Sequence, residues 1–394
     1  MELKQGYKQT EVGVIPEDWD VATLGSCLTA RPSYGINAAA VPYSDKLPVY
    51  IRITDITDDG RFSPDKFVSV DSADSGSYYL SNGDIVFART GASVGKSYRY
   101  KESDGELVFA GFLIRVQPDN NKLHSTFAEA YVTTGTYWNW VRLMSMRSGQ
   151  PGINGNEYAQ LPIPVPSLPE QHAIATVLSD VDALLAAQEK LIAKKRNIKQ
   201  AAMQQLLTGK QRLPGFSGEW EVKRLGDIAS ATKGTQLNSS ESNDNGRFAH
   251  LNGGITPSGF TELANTQGGT IAISEGGNSC GYVQFMAEPY WCGGHCYSII
   301  PREIDNAFLY HSLKGAQAAI MALRVGSGLP NVQKTALLNF PVSFPVDREE
   351  QAAIAAVLSD MDTDLAALEQ QRDKIRALKQ GMMQELLTGR IRLV

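Results

Sequence analysis

Two stretches of the chain repeat apolar residues at three- and four-residue spacing, the rhythm of a helix with one buried stripe. In the first, Ile174, Val177, Leu178, Val181, Leu184, Leu185, Leu191, Ile192 and Ile198 fall in step; in the second, Ile354, Leu358, Met361, Leu365, Leu368, Ile375, Leu378, Met382 and Leu386 do. Each stretch follows a proline-rich extended segment (161–169 and 340–347), reads as free of internal proline, and stops at Gly209 or Gly389. A glycine just past the last turn is a frequent helix stop, because it takes the left-handed conformation without a Cβ penalty. About 38 residues make a rod of ~57 Å, longer than a small domain needs for its own core. The pattern therefore predicts two long helices that pair with each other as a coiled coil. Helices lying only on the cores of their own blocks are the plain alternative.

The two stretches are copies. Residues 170–213 and 350–393 align at a constant offset of 180 without a gap, and 26 of 44 positions are identical. Shared landmarks are Glu170-Gln171 with Glu350-Gln351, 177–180 with 357–360 (Val-Leu-Ser-Asp), and 206–209 with 386–389 (Leu-Leu-Thr-Gly). Weaker echoes flank them: Trp19 with Trp220, Leu24-Gly25 with Leu225-Gly226, 148–151 with 327–330, and Pro162 and Pro166 with Pro341 and Pro345. A tandem duplication follows, of variable block and shared helix. An antiparallel helix pair would relate the halves by a pseudo-two-fold axis. The boundaries this implies are 1–167, 168–213, 214–345 and 346–394.

Between the helices the texture changes to short runs rich in branched and aromatic residues, as in 47–53, 84–88, 107–116, 270–274 and 297–300. Glycine-bearing turns separate them. Helical stretches near 124–147 and 305–324 precede the proline segments. Each block reads as a mixed α/β domain with an irregular sheet, so the fold class is α+β. The blocks diverge where the helices do not, which suits a protein reading two different things.

Composition narrows the picture. The 394 residues are 42% apolar and 20% charged, enough to bury proper cores. No apolar run approaches the ~18 residues that span a membrane, and 1–13 lacks the apolar core of a signal peptide. Four cysteines make no disulfide framework. A soluble, cytoplasmic protein is expected. Net charge is −5, and 17–167 holds 13 Lys plus Arg against 17 Asp plus Glu. A free-standing nucleic-acid binder usually carries a basic surplus, so any grip on DNA would need local positive charge and help from a partner.

In order and duplication, these features resemble the specificity subunit of type I restriction–modification systems. The resemblance covers nearly the whole chain, including 13–25, 83–91 and 148–153. It implies two target recognition domains, each reading one half of a bipartite, asymmetric site on double-stranded DNA. It also implies that the shared helices set the spacer and dock two methylation subunits, with restriction/translocase subunits joining them. S-adenosylmethionine, ATP and Mg would sit on those partners and no cofactor on this chain.

Base edges are read best by Arg, Lys, Asn and Gln, while phosphates are held by cations, hydroxyls and backbone N–H groups. In the first block, Arg89, Thr90, Ser93 and Lys96 stand on one glycine-bearing loop, and Arg52, Gln150 and Asn154 are further candidates; Arg147 reads equally as a helix-end charge. In the second block the candidates are Lys233, Thr235, Asn252, Asn278, Ser327 and Asn331. Ordinary turn chemistry is the alternative at each position.

Cys280, Cys292, His295 and Cys296 lie within 17 residues. Adjacent His295 and Cys296 suit a tetrahedral zinc site poorly, so no metal is expected, and the pattern reads as buried cysteines beside a structural or DNA-facing His295. The sequence has no Walker A loop, no Asn/Asp-Pro-Pro-aromatic methyltransferase motif and no convincing nuclease cluster. A non-catalytic DNA reader is the expectation. A coiled-coil adaptor whose blocks bind proteins is the alternative.

Overall fold

The computed structural model describes residues 5–146, 149–238, 242–326 and 328–393. The chain divides into two compact units, Met1–Ala187 with Arg372–Val394, and Gln188–Gln371. Each unit therefore takes a part of both long helices, Leu168–Leu206 and Arg348–Leu386. The first helix begins one residue before Pro169, which sits in the first turn. There a missing N–H costs nothing, since that donor has no helical partner anyway. Gly209 and Gly389 follow the helices with φ of 67° and 66°.

The first unit carries a four-stranded sheet in the order Ser33–Tyr34, Leu113–Val116, Ile85–Ala88, Ser97–Arg99. A second sheet runs Leu107–Phe109, Val49–Ile51, Val68–Val70, Ala40–Pro42. The run 107–116, expected as one strand, is two strands in different sheets. At the break Leu113 N–H donates to the Ala110 carbonyl (2.8 Å) and Gly111 N–H to Ile36 (2.8 Å), a tight turn that redirects the chain. Similarly, the helical stretch near 124–147 is Ser125–Tyr131 and Gly135–Met144, separated where Thr134 caps the second piece.

The second unit repeats this plan. Its main sheet is ordered Ala229–Lys233, Cys296–Pro301, Thr270–Ser274, Val283–Met286, and its smaller sheet Gly259–Thr261, Phe248–Leu251, Tyr290–Cys292. Helices Asn306–Gly315 and Gln317–Ala322 follow. In both units the proline segment is a strand: Pro162–Val165 pairs with Asp20–Thr23, and Pro341–Pro345 with Trp220–Arg224.

These contacts explain the duplicated residues. Gln171 accepts from His124 N–H (2.8 Å) and donates to the Lys122 and Pro166 carbonyls (3.0 and 2.9 Å), tying the helix start to its block. Gln351 does the same with Asp305 N–H and the Pro345 carbonyl (2.7 and 2.8 Å). Glu170 is fully buried, accepts from Trp19 Nε1 (3.0 Å), and is gripped by the Arg392 guanidinium, whose Nη2 lies 2.8 Å from Oε2. In the second unit the buried Glu350 is gripped by Arg212, which lies over the Trp220 ring as Arg392 lies over Trp19. The cores match too: Ile174, Leu178, Leu386 and Leu387 pack in one, Ile354, Leu358, Leu206 and Leu207 in the other.

Further along the helices, Leu185, Ile192 and Leu365 are buried, but Leu184, Leu191, Ile198 and Leu378 are exposed. The expected apolar seam thus merges two neighbouring stripes. Leu184 and Leu191 each precede a buried position by one residue, a rotation of about 100° around the axis. Among the described residues no helix is long and apolar enough to cross a membrane.

Candidate nucleic-acid interface

In the first unit the strand Ile85–Ala88 runs out into Arg89, Thr90 and Gly91. This exit is laced to the segment 151–153: Gly91 N–H donates to the Pro151 carbonyl (3.0 Å), Ile153 N–H to the Arg89 carbonyl (2.9 Å), and Thr90 bridges Gly152. Gly91 has φ of 73°, and a Cβ there would stand 2.9 Å from Gln150 Nε2. Arg89 lies 4.9 Å above the Tyr34 ring, and the Tyr34 hydroxyl accepts from Gly155 N–H (3.0 Å). Asn154 begins the next helix, accepting from Glu157 N–H (3.0 Å) while Glu157 accepts from its own N–H (2.8 Å). The fold thus gathers Arg89, Thr90, Gln150 and Asn154 at one corner.

The second unit builds the same corner with different side chains. Gly277 N–H donates to the Pro330 carbonyl (2.9 Å), Val332 N–H to the Glu275 carbonyl (2.8 Å), and Gly276 bridges Asn331. The sheet registers agree as well. Tyr34 pairs with Ile114 and Ile114 with Phe87, as Lys233 pairs with Tyr297 and Tyr297 with Ile273. Arg89 N–H donates to the Phe112 carbonyl (3.1 Å), and Glu275 N–H to the His295 carbonyl (2.8 Å). Ala110 N–H reaches Ile51, and Gly293 N–H reaches Leu251. Hence Tyr34 corresponds to Lys233, Arg52 to Asn252, Arg89 to Glu275 and Phe112 to His295.

Three of the sequence candidates, Arg52, Lys96 and Lys233, are paired with carboxylates. Arg52 forks onto the buried Asp55 (Nε–Oδ2 2.9 Å, Nη2–Oδ1 2.7 Å), which holds its pKa above the ordinary arginine value. Lys96 pairs with the exposed Asp58 at 2.6 Å. Ser93 closes a short turn, its carbonyl accepting from Lys96 N–H (3.0 Å). In the second unit Lys233 Nζ lies 2.7 Å from Glu275 Oε1, and Tyr297 donates its hydroxyl to the same oxygen at 3.0 Å. Burial, then this carboxylate, push the Tyr297 hydroxyl up to about 12. Asn252 Oδ1 accepts from His295 N–H (3.1 Å), and the Thr235 carbonyl accepts from Trp291 Nε1 (2.8 Å). Asn278 is exposed on the 276–279 turn. Ser327, Arg147 and Ser148 lie outside the described residues.

Sequence reasoning did not pick out Tyr34, Phe112 or Glu275, and took His295 as a structural or DNA-facing residue rather than a zinc ligand. Phe112 and His295 are both well exposed at the corner. The cysteines nearby are buried in two different clusters, Cys280 in one and Cys292 with Cys296 in another. Cys292 directs its thiol to the Cys296 carbonyl (3.6 Å). Among the described residues no three His, Cys, Asp or Glu come together as a cation-holding group.

One fold built twice, with the same backbone corner offering different side chains, defines a two-part recognition protein. The comparisons give the family. The model for the type I restriction modification DNA specificity domain matches residues 16–195 and 217–377, and the chain belongs to that family of DNA target-recognition subunits. It is 25% identical over 422 residues to a putative type I restriction enzyme specificity subunit of Methanocaldococcus jannaschii, covering 99% of this chain and 97% of that one. A putative type I specificity subunit of Mycoplasma pneumoniae is 31% identical over 175 residues. That match covers 44% of this chain and less than half, 46%, of that relative. In fold, the chain is similar to the crystal structure of a type I restriction–modification S subunit from M. genitalium, with a TM-score of 0.69 at 19% identity and 98% of each chain covered. The family match leaves the adaptor reading without support.

Proposed function

We propose that this chain is the non-catalytic specificity subunit of a type I restriction–modification complex, its two blocks each reading one part of a bipartite, asymmetric DNA target. The observation that carries this reading is the twice-built corner: one backbone frame, two different sets of outward side chains. Segments 1–167 and 214–345 act as the recognition domains, and 168–213 and 346–394 as the spacer. The candidates Arg89, Thr90, Ser93, Gln150, Asn154, Lys233, Thr235, Asn252, Asn278, Ser327 and Asn331 supply contacts to bases and phosphates. Arg52 and Lys96 join them only by loosening their carboxylate partners, whereas Lys233, half exposed, keeps Glu275 as its support.

The two long helices pair as an antiparallel coiled coil with pseudo-two-fold symmetry and set the spacing of the half-sites. Ion pairs inside each unit support this, because numbers rising on one helix meet numbers falling on the other. Lys379 lies 2.6 Å from Asp182 in the first unit. In the second, Lys195 lies 3.2 Å from Asp364, and Lys199 pairs with Asp362. Pairs so near the surface contribute little energy each; it is their order along the two helices that marks the antiparallel direction.

Two methylation subunits dock on surfaces that the duplication repeats. A groove of about 520 Å³ in the first unit is lined by Gln380, Met383, Gln384, Leu387 and Thr388; one of about 460 Å³ in the second is lined by Gln200, Met203, Gln204, Leu207 and Thr208. These five residues, from the last turns of each helix and just past its end, are the same in both, as expected of one partner bound twice. Restriction/translocase subunits complete the assembly in the cytoplasm. S-adenosylmethionine, ATP and Mg belong to the partners. Sequencing methylated bases in the host with and without this gene tests the reading. The expected result is loss of a motif with two defined parts and an indifferent spacer. An unchanged methylome would refute it.

A further inference from the structure

The equivalent corners differ most at one pair of positions. In the first unit the strand Ser33–Tyr34 supplies a ring, and the exit of strand Ile85–Ala88 supplies the cation Arg89 stacked on it at 4.9 Å. In the second unit the strands have exchanged roles. Lys233, at the position of Tyr34, supplies the cation, and Glu275, at the position of Arg89, supplies the group that holds it at 2.7 Å. Both holders are themselves fixed: the Tyr34 hydroxyl accepts from Gly155 N–H, and Glu275 accepts from the Tyr297 hydroxyl. Among the described residues no carboxylate lies within ion-pair distance of Arg89, and Lys233 remains half exposed.

Beneath this pair the backbone segments are closely packed. A Cβ on Gly35 would stand 2.2 Å from the Ala110 carbonyl oxygen, and one on Gly234 2.3 Å from those of Cys292 and Gly293. Each unit thus presents one oriented cation on a rigid corner, with a different shape and reach. A planar arginine fork matches the two acceptors of a guanine edge, whereas a lysine offers a point charge that reaches one or two acceptors.

Resting on the reading of the blocks as DNA readers, we propose that Arg89 and Lys233 are the specificity-determining, base-reading cations of the two half-sites, and that Tyr34 and Glu275 are their positioning residues. The test uses the chain assembled with its methylation subunits. Binding is measured on the target duplex, on duplexes with one base pair changed in either half, and on unrelated DNA, across a salt series. Arg89→Ala is expected to cut discrimination about ten- to hundred-fold at one base pair of one half-site, with unrelated DNA bound nearly as before. Lys233→Ala does the same in the other half. Tyr34→Leu and Glu275→Gln relax the same base pairs as their partners, while Tyr34→Phe, which keeps the ring and loses only its hydroxyl tie to Gly155, retains most of the discrimination.

Equal weakening on every duplex, with a shallower salt dependence, would mark the cations as phosphate contacts and overturn the proposal. Unchanged discrimination would overturn it too. Arg89→Gln and Lys233→Gln repeat the measurement if an alanine variant folds poorly. Failure of the unmodified complex to discriminate any duplex would instead refute the DNA-reading function itself.

Discussion

Arg392→Ala is expected to destabilise the first compact unit by about 2–3 kcal/mol, less than stranding one member of a fully buried ion pair because the guanidinium side is partly open to water. Glu170 is fully buried and has two partners, Trp19 Nε1 and the Arg392 guanidinium. Without the arginine its carboxylate keeps a single neutral donor in a core of Trp19, Ile174 and Leu387. The second contact of Arg392, to exposed Asp18 at 2.8 Å, adds little because water screens it. Arg212→Ala is expected to weaken the second unit in the same direction, by leaving the buried Glu350 without its guanidinium. Urea unfolding followed by far-UV circular dichroism checks both. A loss below about 1 kcal/mol would show that water replaces the guanidinium.

Gly234→Ala is expected to cost about 2–3 kcal/mol and to abolish recognition of one half-site while sparing the other. The added methyl would press within 2.3 Å of two backbone carbonyl oxygens, those of Cys292 and Gly293. Backbone cannot yield as a flexible side chain does, so the corner carrying Lys233 and His295 must open. Gly218→Ala is the control, since nothing stands within 4 Å of a Cβ there. Thermal unfolding with half-site binding assays measures both effects. Normal recognition of both halves by Gly234→Ala would show that the corner does not position the reading groups.

The helices and their duplication were legible because a helix stripe depends on local spacing, and the two copies keep one offset without a gap. The roles of Glu170, Gln171 and their counterparts were visible as identities, although their partners Arg392, Arg212 and Trp19 are far off in sequence. The blocks were harder. Their equivalences run through strand pairings distant in sequence, such as Tyr34 with Ile114 and Lys233 with Tyr297. Loops of unequal length shift the offset between copies, so the helices' offset of 180 does not bring Arg89 onto Glu275. A search for cations and amides found Arg89 and Lys233 but passed over Tyr34 and Glu275. Their part appears only when the stacking and the ion pair are seen. It also kept Arg52, whose fork is taken up by Asp55. The break of 107–116 into two strands turns on tertiary hydrogen bonds that its apolar run does not announce.

The central claim is that two independent readers share one frame. Its most direct test replaces residues 214–345 with the corresponding block of another family member and sequences the methylated bases of the host. The account predicts a new sequence in one half of the target, with the other half and the spacer length unchanged. A change in both halves would contradict it.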